Sequence, residues 1–450
     1  MATIRLLSVG SRGDLQPYLA ILLELQRRGH AIQLIGSVNF EAIATAHAVP
    51  FVPLPGDYRQ LLASKQGLEL MRGKPVRLVS KQLLEAMLTT AAAAMAGTDL
   101  LLVTPLALWG YHLAEAEGCP LMVLSPIPII ATGDFALLQF PGPADPPPPR
   151  RIGQRLKRRL NRLSYHSVSL LKWRQDSGVI QAWRRNKGLA PLPWGGARSR
   201  RDAPAQLANP TVLHLFSPQV LARPADWQES TSVAGYCFLE SPSAADEILA
   251  CSYQPADDLR EFLDSGDRPF YAGFGRMIDP DPAALGSLLV EAARIAGQRL
   301  ILSPGWGRIV PRTALPASVY LLEECPHSWL FPQLKGAIHH GGAGTTATSL
   351  RHGLPSTVVA FFADQPAWGR TLERLGVSPA THRLPTLSAE TLALSMGAIA
   401  NNPSFRIRAR ELQQMLSGED GVANVVAAIE AKLIKDVSKE PGSPDVQARK

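Results

Sequence analysis

Apolar positions along this chain recur in two periods, and the places where one period gives way to the other mark the elements. Thr3–Val9 is a short apolar run enriched in β-formers. After Gly10-Ser-Arg-Gly-Asp the pattern turns helical, with Leu15, Leu19, Leu22, Leu23 and Leu25 leading to Arg28. Gly29 stands where a helix commonly ends. Ala31–Ile35 then reads as a second strand. Strand, glycine turn, helix and strand within about 35 residues is a βαβ unit, which implies a parallel sheet. The alternation recurs with Leu100–Val103 as strand, Leu108–Glu117 as helix and Leu121–Leu124 as strand.

A second array of the same style follows Val212–Phe216. Strands are predicted at Pro269–Phe274, Arg299–Ser303, Val319–Leu322, Gly336–His339 and Ser356–Ala360, with helices at Pro282–Ala296 and from Gly344 and Gln365. The expectation is an α/β chain of two Rossmann-like domains, 1–220 and 233–403, joined by a linker at 221–232. Helical periodicity returns over 404–435, interrupted at Gly418–Gly421, and is expected to pack back toward the first domain. The polar segment 436–450, with Pro441 and Pro444, is expected to be disordered.

Between the arrays lies a segment of another kind. Pro146–Pro149 reads as polyproline, and at once Ile152, Leu156, Leu160 and Leu163 recur every three or four residues among Arg155, Lys157, Arg158, Arg159 and Arg162. That is a basic amphipathic helix within 150–174. A solvated helix lying on its own domain is the plainer reading of the same pattern.

Composition narrows the classes. The chain has 450 residues, 46% hydrophobic and 19% charged, with a net charge of +8. The charge permits an anionic partner without naming one. Cys119, Cys237, Cys251 and Cys325 contain no C-x-x-C pair, which excludes a zinc ribbon and a thioredoxin-type site. The start shows no secretory pattern, and no apolar run is long enough to span a bilayer. A cytoplasmic protein, peripheral on the inner face of a membrane, is the expectation.

The richest chemistry is in His339-His-Gly-Gly-Ala-Gly-Thr-Thr, between a strand and a helix start. A helix N-terminus offers unpaired N–H groups, and small residues let a phosphate approach. His340, Thr345 and Thr346 add side-chain donors. The segment is neither a Walker loop nor a dinucleotide fingerprint. Further on, Asp364-Gln365 at a strand's carboxyl end suits vicinal hydroxyls. Taken alone, Asp364 reads better as a helix cap.

Together these segments resemble the family 1 glycosyltransferases of GT-B fold, most closely the sterol 3-β-glucosyltransferase and bacterial natural-product branch. The resemblance rests on Gly10-Ser-Arg-Gly-Asp-Leu-Gln-Pro-Tyr, Gly273-Phe-Gly, Cys325-Pro-His-Ser-Trp-Leu-Phe-Pro, His340-Gly-Gly-Ala-Gly-Thr-Thr and Asp364-Gln-Pro-Ala-Trp-Gly, in order from about Ile4 to Ile429. It implies Asp14 as general base and a donor site drawn from Ser11, Arg12, Gly13, Gly275, Arg276, Cys325, His327, His340, Gly342, Gly344, Thr345, Asp364 and Gln365. It further implies inversion at the sugar, UDP-glucose as donor substrate, and neither cofactor nor metal. The acceptor is expected to be lipophilic and hydroxylated, sterol-like, meeting Phe135, Phe140 and Trp368. Another aglycone, a TDP-linked sugar or a non-catalytic lipid-binding relative remains open at this point.

Departures from the family pattern are Arg276 where many members have serine, Thr348 where plant-type members carry glutamate, and Glu324 where they carry a stacking tryptophan. Asp279-Pro-Asp281 matches D-x-D only superficially and reads as a turn and helix cap. The basic helix beside an apolar acceptor site points to an anionic membrane surface as partner. Nucleic acid is not expected, because no aromatic residues interleave the arginines in the manner of a recognised module.

Overall fold

In the computed structural model the described residues are 1–10, 12–71, 74, 76–140, 152–193, 210–239 and 253–437. Ser11, the Pro146–Pro149 run, Cys251 and the tail from 438 lie outside them. The first sheet comprises β1 Thr3–Ser8, β2 Ala31–Ser37, β3 Phe51–Leu54, β4 Leu100–Val103, β5 Leu121–Ser125, β6 Thr211–His214 and β7 Thr231–Val233, ordered β3-β2-β1-β4-β5-β6-β7. The second comprises β8 Phe270–Gly273, β9 Leu300–Ser303, β10 Val319–Leu321, β11 Gly336–His339, β12 Ser356–Ala360 and β13 Thr381–Arg383, ordered β10-β9-β8-β11-β12-β13. Every pairing is parallel.

The apolar runs became strands because both faces of each sheet are covered, so no alternation with polar residues is needed. In β4, Leu100 and Leu102 enter the core that includes the Arg12–Arg27 helix, while Leu101 and Val103 enter the opposite core with the Lys81–Ala93 and Gly110–Glu117 helices. The second sheet divides likewise: Leu300 and Leu302 face one core, Ile301 the other. Each sheet reverses its order at one place, between β1 and β4 and between β8 and β11. Ligand crevices in open parallel sheets form outside the strand ends at such points.

Two expected boundaries differ from the structure. The stretch read as a linker at 221–232 runs into β7, whose residues pair with β6 in the first sheet. Its Pro- and Ser-bearing approach hides a three-residue edge strand. The C-terminal helices also divide between the domains. Pro403–Ser417 buries Ala409, Leu412 and Leu416 beside the second sheet, and Arg406 donates to the carbonyls of Leu334 (2.8 Å) and Lys335 (2.6 Å). Gly421–Val437 packs into the first domain, where Val425, Val426 and Ile429 are fully buried in its core and Glu430 pairs with Arg28 at 2.9 Å.

The domains also share a core between them. Phe135, Phe140, Tyr165, Phe216 and Trp227 of the first half pack with Ala347, Leu350, Trp368 and Leu372 of the second. The two chain crossings touch beside it: Gly421 lies 3.3 Å from the position a Cβ would take on Gly235, and Ser217 donates to Glu419 at 2.7 Å. Among the described residues, no helix is long and apolar enough to cross a membrane.

Candidate active site

At the reversal point of the second sheet, β8 and β11 end side by side, with His339 opposite Gly273. Beyond β8 the chain turns through Gly275 at φ 56°. Its carbonyl accepts from the Trp306 N–H at 2.9 Å, and Gly305, also left-handed at φ 58°, leaves no room for a Cβ against that carbonyl. The Arg276 guanidinium lies 4.6 Å from the centre of the Trp306 ring. Arg59, from the first domain, approaches the same ring at 5.5 Å.

Beyond β11 the loop is built on glycines. Gly341 has φ 80°, and a Cβ there would stand 2.7 Å from Val358 Cγ1 and 2.8 Å from the Gln365 carbonyl oxygen. The Gly341 N–H donates to Nδ1 of the fully buried His339 at 3.0 Å, which makes that nitrogen the acceptor of a neutral ring. The His340 ring edge lies against the Gly342 Cα, occupying the volume a side chain would need. Burial pulls the His340 pKa down to about 4, so the ring is neutral near pH 7, and its Nδ1 has no hydrogen-bond partner.

Gly342 is the N-cap of the Ala343–Arg351 helix and supplies no side-chain cap. Gly344 is exposed and Thr345 half-buried, so the first N–H groups face an open edge. Thr346, expected as a donor beside Thr345, is instead fully buried with its hydroxyl turned inward. Helical geometry sends neighbouring residues to different faces, and Thr346 falls on the core side.

Asp364 precedes the Gln365–Arg374 helix, but its side chain makes no cap. One carboxylate oxygen accepts from the indole N–H of Trp368 at 3.0 Å, one turn along. Ala363 before it is left-handed at φ 56°, a conformation that bends the loop tip and sets the carboxylate's direction. Gln365 is committed to its own loop: its carbonyl oxygen accepts from the N–H groups of Phe361 (2.8 Å) and Phe362 (3.1 Å), and its amide donates to Met277 Sδ at 3.3 Å. It braces the crevice floor from within. Asp281 does cap its helix, accepting from the Ala284 N–H at 3.0 Å, as expected for that turn.

Cys325 is half-buried and hydrogen-bonded to Tyr253, whose ring meets Trp329 edge-on at 5.3 Å. The His327 ring stacks on Phe331 at 4.4 Å and is lowered by burial to about pKa 4, so its surface is occupied by packing. Across the domains, Arg12, Gly13 and Asp14 form the first turn of the Arg12–Arg27 helix, directly beyond the carboxyl end of β1. Their side chains lie outside the described residues, as does Ser11. Phe135, Phe140 and Trp368 do come together: Phe140 meets Trp368 edge-on at 4.6 Å and Phe135 at 6.2 Å. They are buried to 5% exposure or less, so they form the shared interdomain core and not an open lining.

Residues 4–135 match the glycosyltransferase family 28 N-terminal domain, and residues 306–432 match the erythromycin biosynthesis protein CIII-like C-terminal domain. Over 445 residues, 96% of its length, the chain is 34% identical to the sterol 3-beta-glucosyltransferase UGT80B1 of Arabidopsis thaliana, covering 68% of that protein. The chain belongs to the sterol 3-beta-glucosyltransferase family. A second Arabidopsis thaliana member, UGT80A2, is 31% identical with 64% of its length covered, and a Leptosphaeria maculans member is 28% identical with 29% covered. Among solved structures, the kitacinnamycin glycosyltransferase has a TM-score of 0.67 at 19% identity, covering 96% of this chain and 99% of its own. SnogD of Streptomyces nogalater gives 0.61 at 19% identity, with 96% and 99% covered. These establish the GT-B fold.

Sequence reading of this sterol 3-beta-glucosyltransferase family member missed Trp306, Arg59, Tyr253 and Met277. Pro304-Gly-Trp306 follows β9 at its carboxyl end, a position where loops meet ligands, and that was a usable signal. Arg59 and Tyr253 carried none, because each acts only through a partner distant in the chain.

Proposed function

We propose that the protein transfers glucose from UDP-glucose to the hydroxyl of a sterol-like acceptor, inverting the anomeric centre, at the crevice between its two domains. The observation that carries the reading is the 34% identity to a sterol 3-beta-glucosyltransferase across 96% of the chain. The donor lies over the second domain. Its diphosphate meets the N–H groups at Gly344 and Thr345 and the neutral His340 ring, and Asp364 takes sugar hydroxyls. Gly275 leaves room beside His340, and the segment from Cys325 to His327 faces the base.

In the transfer step, Asp14 accepts the proton of the acceptor hydroxyl as its oxygen bonds to the anomeric carbon. The bond from that carbon to the UDP oxygen breaks on the opposite side, so an α-linked donor gives a β-glycoside. General-base assistance of this kind is worth about 10²–10⁴ in rate. Charge developing on UDP is met by the positive end of the Ala343–Arg351 helix and the His340 ring, which are already in place. The acceptor is collected at an anionic membrane surface on the side of the Ile152–Asn186 helix.

The decisive experiment incubates Asp14→Asn and the parent with UDP-glucose and a sterol, reading the product by mass and its anomeric configuration by NMR. Expected are a β-glucoside from the parent, and from the variant about 10²–10⁴ slower turnover with unchanged UDP affinity. Near-parental turnover of the variant refutes the base assignment.

A further inference from the structure

The Ile152–Asn186 helix, 35 residues long, packs with an unusual side outward. Its inner face carries Asn161, Tyr165, Asp176, Ile180 and Trp183, each less than 9% exposed. Its outer face carries leucines in water: Leu156 is 60% exposed, Leu160 56% and Leu163 54%. The line continues through Leu170 and Leu171, so the stripe holds one side of the helix for about four turns. Isolated exposed leucines need no explanation, but a contiguous stripe marks an interaction surface.

The cations around the stripe fall into two groups. Arg158 bonds Asp134 at 3.1 Å and Arg162 bonds Asp226 at 2.6 Å, so both are turned to the protein. Asp226 also accepts from Thr132 Oγ1 and the Gly133 N–H. Burial would raise its pKa, but these bonds and the Arg162 pair outweigh that and hold its carboxyl below the usual range. Arg155, Lys157 and Arg159 make no ion pair among the described residues and flank the leucines. The helix carries no acid before Asp176, itself paired with Arg77 and Lys172. An apolar stripe bordered by cations that make no ion pair among the described residues, and free of acids, has the chemistry of a helix lying in the interface of an anionic bilayer. Duplex nucleic acid would take the cations and leave the leucines in water.

We infer that Leu156, Leu160 and Leu163 insert into the apolar boundary of an anionic bilayer, flanked by Arg155, Lys157 and Arg159 at the headgroups, while the inner face of the same helix holds the acceptor-side segment in register with that surface. This rests on the reading of a lipophilic acceptor taken from a membrane, and deepens it. The inner ties are direct. Asn161 Nδ2 donates to the Gly133 carbonyl at 2.8 Å, Ser164 Oγ accepts from the Leu137 N–H at 2.9 Å, and Tyr165 packs in the core of Phe135 and Phe140.

The test is flotation of the full chain with vesicles of equal parts phosphatidylcholine and phosphatidylglycerol, alongside turnover of a sterol held in those vesicles or in detergent micelles. The triple variant L156S/L160S/L163S is expected to lose at least about tenfold in vesicle affinity, and to lose vesicle turnover in proportion, while UDP affinity, melting temperature and micelle turnover stay parental. R155A/K157A/R159A is expected to lose vesicle affinity in a salt-dependent way. N161A is expected to lower the melting temperature, because the Gly133 carbonyl loses its buried donor, and to leave flotation unchanged. Undiminished flotation of the leucine variant overturns the insertion, as does a parent that is a dimer in solution, made monomeric by the leucine change, and never floats. An unchanged melting temperature for N161A overturns the tie between the helix and Gly133. Flotation needs no catalysis, so a parent that floats through these leucines yet glucosylates no sterol refutes the proposed reaction and leaves the insertion standing.

Discussion

Replacing Gly342 with alanine separates the role of His340 from the stability of its loop. Gly342 has φ −63° and ψ 146°, ordinary angles for any residue, so alanine brings no backbone strain. Losing a glycine at the N-cap costs up to about 1 kcal/mol, and the stiffer unfolded chain returns about 0.4–1 kcal/mol. The backbone contribution to stability is therefore nearly unchanged. The new methyl group, however, would overlap His340 Nε2 and stand 3.1 Å from Cδ2 and 3.3 Å from Cε1. The ring has to withdraw by about 1 Å to recover normal contact, which breaks any hydrogen bond it offers a phosphate. A bond to a charged acceptor is worth about 1.5–3 kcal/mol, so UDP should bind roughly 10–150-fold more weakly. Calorimetric titration of UDP and a thermal melt measure both effects. Gly341→Ala is the contrast: with φ 80° and a backbone oxygen 2.8 Å from the new Cβ, it should lower the melting temperature. If Gly342→Ala binds UDP within about twofold of the parent, His340 does not hold the diphosphate.

Two further predictions concern stability. His112, His327, His340 and His352 are lowered by burial to about pKa 4, and His214 and His339 to about 3. Their unfolded forms protonate near 6.5, so the neutral folded rings contribute stability that is present above pH 6.5 and lost as pH falls toward 4, by up to about 1.4 kcal/mol per pH unit for each ring. Urea midpoints should therefore drop steeply between pH 6.5 and 5, and a flat profile there refutes the burial of these rings. Arg184, with 0% exposure, grips both oxygens of Glu115 at 2.7 and 3.1 Å and anchors the end of the basic helix. Glu115→Ala leaves that charge buried and unpaired, and should cost about 3–5 kcal/mol in chemical denaturation.

The sheets were readable from the sequence where strands are central. β4, β5, β11 and β12 are buried along their whole length; β4 is an uninterrupted apolar run, and the others carry only small or single polar residues at their ends. Of the edges, β10 was legible at Val319–Leu322, whereas β3, which contains Pro53, and β7, three residues long, were not, because both depend on a neighbour to be strands at all. The basic helix was read as ending near 174, but it continues to Asn186 through Asp176 and Gly178 because Ile180 and Trp183 find buried places. The glycine turns of the site were visible because they are contiguous in the chain. The pairings were not. That Arg158 and Arg162 belong to Asp134 and Asp226, and that Phe140 abuts Trp368, are results of folding between distant segments, which periodicity does not encode.

The last helix also sets an order of events during synthesis. Val425, Val426 and Ile429 are part of the first domain's core, against the helix that begins at Arg12. The ribosome therefore releases more than 400 residues, the second domain among them, before that core has its full complement of side chains. The second sheet and the Pro403–Ser417 helix that covers it are complete by then. Domains of a nascent chain ordinarily finish in the order they emerge. Here the domain made first waits on a helix made after the second domain, and until Gly421–Val437 arrives the apolar face it covers stays open.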